Sequence, residues 1–151
     1  MLLSQLLTAD RIKVPLDSRD KPSVLRELVD LLVSRAGGEP GAILHAVHER
    51  ESAQSTGFGH GIAIPHGRTP SLGALAIVAG RAATPIEFEA VDGQPVRLLF
   101  LVAGPEAAAG DQVRMLARIA RLLRRDYVRE RLLKAGTAPD FAAIVKEVEL
   151  Q

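Results

Sequence analysis

The chain has no cysteine and no tryptophan, and only 3% of its residues are aromatic. Without cysteine there is no disulfide, no thiolate nucleophile and no cysteine-ligated zinc. That usage fits a reducing compartment, so a cytoplasmic location is expected. With one tyrosine and four phenylalanines, the core has to be built from Leu, Val, Ile and Ala. Single-stranded nucleic acid, which binds by stacking on aromatic rings, is a poor match. Neither sign of charge is in excess: 19 basic and 18 acidic residues leave a net charge of +1, too little to draw the chain to nucleic acid or to a membrane surface. No window approaches the roughly 18 apolar residues of a membrane span, so no membrane insertion is expected. The apolar opening, Met1 to Leu7, is short, lacks a basic flank and runs into Thr8-Ala9-Asp10-Arg11; it reads as a small helix rather than a signal peptide. Walker-type phosphate loops and dinucleotide fingerprints are also missing.

What is present is an ordinary globular composition, 47% hydrophobic and 25% charged over 151 residues. That is enough for one domain, 1–151, with a real core. Residues 16–37 read as a helix: Ser18 or Asp20 can cap it, Pro22 suits its first turn, and Val24, Leu25, Leu28, Leu31 and Leu32 form an apolar stripe ended by Gly37-Gly38. A second helix runs from Pro40 to about Glu51, with Ile43, Val47 and Arg50 on one face. Strands are expected at 62–64, at 75–79, at 86–91 by its alternation, and at 96–102, the last one central. Asp92-Gly93 signals a hairpin turn between the final two. Helices over 107–125, 127–134 and 139–148 close the chain. Helices before, between and after the strands imply an α/β fold, a mixed β-sheet flanked by helices on both faces.

The most informative stretch is Ser55-Thr56-Gly57-Phe58-Gly59-His60-Gly61-Ile62-Ala63-Ile64-Pro65-His66-Gly67-Arg68. Pro65 has no N–H and should end the strand ladder, delivering His66 just past the strand with Gly67 leaving room beside it. A neutral imidazole is a nucleophile near pH 7, and phosphoryl transfer asks a protein mainly for positioning and charge stabilisation. Glycine amides, the Ser55 and Thr56 hydroxyls, and a guanidinium from Arg50 or Arg68 would supply these. A glycine-rich turn with an incidental histidine is the competing reading. His45 and His48 read as ordinary helix positions. His60 and His66 are six apart, which matches no standard zinc spacing, and Glu49 and Glu51 fit a solvated helix end as well as a ligand set; a metal hydrolase is the weakest reading. Arg114, Arg118, Arg121 and Arg125 recur at helical spacing and suit either a solvated face or a docking surface for an acidic partner.

Arg50-Glu51, Ser55-Thr56-Gly57 and Gly61-Ile62-Ala63-Ile64-Pro65-His66, with Ile86-Glu87-Phe88, Asp92-Gly93-Gln94-Pro95-Val96 and Leu116 to Leu123 downstream, resemble the type-2 IIA domain of the phosphoenolpyruvate-dependent sugar phosphotransferase system. This is the fructose/mannitol class, which includes stand-alone nitrogen-related regulators. The resemblance covers nearly the whole chain. It implies that His66 accepts a phosphoryl group from the carrier protein HPr or a relative and passes it to a cysteine of a IIB domain. It also implies that no cofactor or metal takes part, that Arg50 is the anion partner, and that Ser55, Thr56 and Gly57 form the phosphate-binding turn. The alternative role is regulatory, with phosphorylation controlling binding to a target protein. Two departures stand out. The family's usual second active-site histidine falls at Gln112, whose amide can hydrogen-bond phosphate but cannot relay a proton. A histidine, His60, stands where asparagine is common, and it could compensate for the missing one if its loop folds back toward His66.

Overall fold

Alternation of side chains along two central strands organises the molecule, whose computed structural model describes residues 1–151. Strands β5 (Ala76–Ile86) and β6 (Val96–Gly104) pair antiparallel, with Ala76 opposite Ala103 and Arg81 opposite Leu98. Successive side chains point to opposite faces. Ile77, Ala79, Leu98, Phe100 and Val102 therefore enter one buried cluster, and Ala76, Val78, Leu99, Leu101 and Ala103 the other. Because both faces are covered, these strands read as continuous apolar runs rather than alternating ones.

The first face is covered by the one-turn helix α1 (Leu3–Leu6) and by α4 (Ala109–Leu123), α5 (Asp126–Lys134) and α6 (Ala138–Glu149). Met115, Ile119, Val128, Leu132, Phe141 and Val145 pack there, with the Phe141 ring 6.0 Å from that of Phe100. The second face is covered by α2 (Lys21–Ala36) and α3 (Pro40–Ala53), through Val24, Leu28, Leu32, Ile43 and Val47. The sheet is completed by β1 (Ile12–Leu16), parallel on the outer edge of β5. On the far side of β6 lie β3 (Ile62–Ala63) and β4 (His66–Arg68), both parallel to it, and β2 (Gly57–Gly59) pairs antiparallel with β3. The expected mixed sheet with helices on both faces is what forms.

Two local expectations are corrected, and one further strand is present. The first long helix starts at Lys21, not residue 16: Leu16 ends β1, and Asp20 is the cap, accepting from the Ser23 amide at 2.9 Å. Strand β1 itself is poorly signalled because Pro15 interrupts it, which an edge strand tolerates. No strand runs over 86–91. β5 extends from Ala76 through Ile86, and residues 87–95 form a long connection to β6. Phe88 and Ala90 are buried while Glu87, Glu89 and Val91 are exposed, so the connection lays alternate side chains on the core and touches β2 by one backbone bond, Val91 N–H to Gly57 O at 2.8 Å, without forming a ladder. The Asp92-Gly93 turn does form inside it, with the Gly93 amide donating to Ala90 O at 2.9 Å.

Since Phe141 fills the centre of the first core and is fully buried, Phe141→Ala is expected to lower unfolding free energy by about 3–5 kcal/mol. Urea denaturation of the variant against the parent measures the loss.

Candidate functional site

The edge of β6 carries two short strands in line, β3 and β4, with Ile64-Pro65 between them. Pro65 offers no N–H, but its carbonyl accepts from the Val102 amide at 3.0 Å. The ladder therefore resumes at His66, which opposes Val102; Pro65 interrupts the edge rather than ending it, and His66 is the first residue of a further strand. The register puts the His66 side chain on the α4 face with Val102, and Gly67 on the α3 face with Ala103.

Helix α3 lies against β4 so closely that a Cβ on Gly67 would sit 3.0 Å from the Ala46 carbonyl carbon and 3.1 Å from the Val47 nitrogen. The space at Gly67 is taken by the helix, not left for a ligand. Arg50 is one turn beyond Ala46, at the same end of α3 as the site. Across the gap, α4 supplies Gln112, only 2% exposed, whose Nε2 donates to Gly67 O at 3.3 Å. Its Oε1 is buried without a partner. Ala46, Glu49, Arg50, His66, Gly67, Arg68, Gln112, Val113 and Leu116 line a cleft of about 540 Å³. The structure thus brings together His66, Arg50 and Gln112, with Arg68 at the rim in a 3.4 Å ion pair with Glu106.

His66 Nδ1 lies 2.8 Å from Ile64 O. A carbonyl oxygen only accepts, so Nδ1 carries the hydrogen, and the lone pair of the neutral ring is on Nε2. Burial depresses the His66 pKa below its ordinary value; the Ile64 hydrogen bond opposes this, the Arg50 charge adds to the depression, Glu51 opposes it, and Arg68 adds to it. The ring is held in the nucleophilic form, in one tautomer.

Ser55, Thr56, Gly57 and His60 do not line this cleft. Ser55 Oγ donates to Phe88 O at 2.9 Å and accepts from the Gly57 amide at 3.1 Å. Thr56 donates its amide and its hydroxyl to the Glu51 carboxylate. These donors are spent on folding the turn, which corrects the expectation that they cradle phosphate. His60 is corrected too. It pairs with Gly61 in the two-residue turn between β2 and β3, at φ 58° and 76° respectively. Both values are positive, as a type I′ turn requires, and histidine, like asparagine, tolerates that region. His60 is a turn residue.

Glu51, expected at a solvated helix end, is buried instead. Only 8% exposed, it accepts from Thr56 and forms a 3.0 Å ion pair with Lys21, whose ammonium also donates to Phe88 O at 3.2 Å and lies 4.5 Å from the Phe88 ring centre. The start of α2, the end of α3 and the turn at 55–57 meet on this one carboxylate, and Lys21 and Ser55 link them to the connection at 87–89. A signal was available: Glu51 continues the buried stripe Ile43, Val47 at helical spacing, where a carboxylate is out of place unless it is paired.

Two outcomes follow from this geometry. The His66 ring is expected to titrate below 6.5, and Arg50→Gln to raise its midpoint, as read from the ring proton shifts by NMR. A depressed histidine pKa means that the unfolded chain binds the proton more tightly, so this group's stabilisation is complete above the unfolded value near 6.5 and fades as pH falls toward the folded midpoint. In the β2–β3 turn, His60→Asn is expected to leave the melting temperature nearly unchanged. His60→Val should cost about 1–2 kcal/mol, because a β-branched residue resists the left-handed region.

A sequence model of the family described as "Phosphoenolpyruvate-dependent sugar phosphotransferase system, EIIA 2" matches residues 5–148. The chain is 37% identical over 149 residues to a "PTS system fructose-specific EIIABC component" of Bacillus subtilis, covering 97% of this chain but only 23% of that protein's length. It is 39% identical to a "Nitrogen regulatory protein" of Pseudomonas aeruginosa, covering 97% of this chain and 96% of the other. The fold superposes on the crystal structure of the nitrogen regulatory protein IIA-Ntr from Neisseria meningitidis with a TM-score of 0.89 at 29% identity, covering 95% of this chain and 98% of the other. With one family matched almost from end to end, in sequence and in fold, the chain belongs to the EIIA type-2 family of the phosphoenolpyruvate-dependent sugar phosphotransferase system.

Proposed function

We propose that this chain is a histidine phosphocarrier in which His66 Nε2 takes up a phosphoryl group, Arg50 offsets the incoming negative charge, and Gln112 forms the neutral wall of the cleft. The observation that carries this reading is the Nδ1 contact with Ile64 O at 2.8 Å, which leaves Nε2 as the nucleophilic nitrogen of a buried, neutral ring. On transfer, a bond forms between Nε2 and phosphorus while the bond from phosphorus to the donor's own nitrogen breaks. Nε2 carries no hydrogen at that moment, so no proton has to leave. Transfer onward reverses the geometry: the Nε2–phosphorus bond breaks as an acceptor thiolate bonds to phosphorus, and the neutral ring is regenerated. Arg50 contributes a fixed guanidinium, pinned by its Nη1 donating to Gln54 O at 2.6 Å, and charge placed where negative charge arrives is effective without reorganisation. Ser55, Thr56 and Gly57 act by shaping the turn that leads into β3. HPr or a relative is the proposed donor and a IIB cysteine the proposed acceptor.

A regulatory role, with the phosphorylation state controlling binding to a target protein, is the second reading. Its support is the likeness to a "Nitrogen regulatory protein" over 96% of that protein's length.

The test of the carrier reading is incubation with phosphoenolpyruvate, the first general phosphotransferase protein and HPr. One acid-labile, base-stable phosphoryl group per chain is expected, lost in His66→Ala. Absence of label on the parent chain sinks the carrier reading, and label surviving in His66→Ala sinks the site assignment. Arg50→Gln is expected to slow labelling by about 10²-fold, and Gln112→His to change the rate while labelling remains at His66.

A further inference from the structure

Charge is segregated in this near-neutral chain. Residues 109–134, which span α4, α5 and the Arg124-Arg125 link between them, carry eight basic and three acidic side chains; the remainder carries eleven basic and fifteen acidic. A segment at net +5 therefore sits on a body at net −4. Within them, Arg114, Arg118 and Arg121 recur at the i, i+4, i+7 spacing of one helix face and line a groove of about 390 Å³, whose floor includes Met115 and Ala117. Three guanidiniums on that face span about 10 Å at the rise of an α-helix. Arg114 pairs with Asp111 at 2.6 Å and Arg118 with Glu149 at 3.5 Å, while Arg121 is exposed and makes no ion pair. Each guanidinium presents several donors, so the two paired arginines keep free ones.

The groove and the His66 cleft lie on two flanks of α4 and share no lining residue: Gln112, Val113 and Leu116 face the cleft, and Asp111, Arg114, Met115, Ala117, Arg118 and Arg121 the groove. A ligand of the groove is thus separable from phosphoryl exchange.

We propose that this groove docks an acidic amphipathic helix of another protein, with carboxylates at i, i+4 and i+7 meeting the three arginines and an apolar residue resting on the exposed Met1 and Ala117 that also line it. Charge complementarity supplies steering and register, and an apolar anchor supplies residence. A polyanionic nucleic acid fits less well. Asp111 and Glu149 stand among the arginines, the rest of the surface is net negative, and aromatic stacking groups are scarce.

The probe is a fluorescein-labelled helical peptide of about 18 residues with glutamate at those spacings and leucine on its flank, followed by fluorescence anisotropy at about 50 mM salt, where surface charges are weakly screened. The glutamate peptide is expected to bind, and its lysine counterpart not to. Arg114→Glu with Arg121→Glu should weaken binding by at least about tenfold. Arg19→Glu with Arg26→Glu, the same change of charge on and before α2, should leave it within about twofold. Arg118 is kept, because its partner Glu149 also accepts from the amides of Leu3 and Ser4 and so holds α1. Both double variants should melt with the parent and still accept phosphate at His66. Equal binding of the lysine peptide, equal loss in the two double variants, or tighter arginine-dependent binding of duplex DNA than of the peptide each overturns the proposal, the last in favour of nucleic acid.

Discussion

The close approach of α3 to the sheet edge at Gly67 is the contact from which the site is built. With a side chain at that position the helix backbone would have to retreat, since the nearest atoms, at 3.0 and 3.1 Å, belong to the Ala46–Val47 backbone and the Ala46 side chain. Retreat would carry Arg50 away from His66, because both partners are rigidly tied to their elements: Arg50 to the last turns of α3, His66 to the first position of β4. The same glycine offers its carbonyl to Gln112, so one residue without a side chain joins α3, the edge strand and α4. The Glu51 carboxylate performs the matching task behind the site. It gathers Lys21 and Thr56 and, through Lys21, the Phe88 loop, so the turn that feeds the edge strands is held by a paired charge rather than by packing alone. Removing one member of such a pair leaves the other buried and uncompensated.

The electrostatics of the cleft follow from that arrangement. A histidine on a solvated loop would spend part of its time protonated near neutral pH and could offer either nitrogen. Here burial and two nearby guanidiniums disfavour the imidazolium, and a main-chain carbonyl selects the tautomer. In the proposed transfer, the arginines that disfavour a positive ring are the groups that would favour a negative phosphoryl group, so the same charges would serve the ring before transfer and the adduct after it. Gln112 faces this cleft as a neutral amide with an unpartnered oxygen. It can shape the site and hydrogen-bond, but it takes no part in proton traffic.

Much of this was legible along the chain. The helices expected over 40–51, 107–125, 127–134 and 139–148 form within about two residues of those bounds. The central place of β6 follows from its unbroken apolar run, and the pairing of His66 with Arg50 and Gln112 from the resemblance. Where the reading failed, local pattern was a poor guide to hydrogen-bonded partners. Residues 87–91 alternate because they cover a core, but they meet β2 through one backbone bond, Val91 N–H to Gly57 O at 2.8 Å, rather than through a ladder. Pro15 hides β1, which an edge can tolerate. Ser55 and Thr56 look like phosphate donors in a list of residue types, and only their neighbours show that the hydroxyls are already taken.

The sequence by itself determined the layer architecture, the family and the candidate histidine, because periodicity, composition and short motifs are properties of adjacent residues. Only the tertiary structure decided which donors remain free, which nitrogen of His66 carries the lone pair, that His60 closes a turn, and that Glu51 ties α2, α3 and the turn at 55–57 together. The Ser55 hydroxyl and the Lys21 ammonium meet Phe88 across 33 and 67 residues of chain, and hydrogen-bond capacity spent on a distant partner leaves no trace in the local pattern.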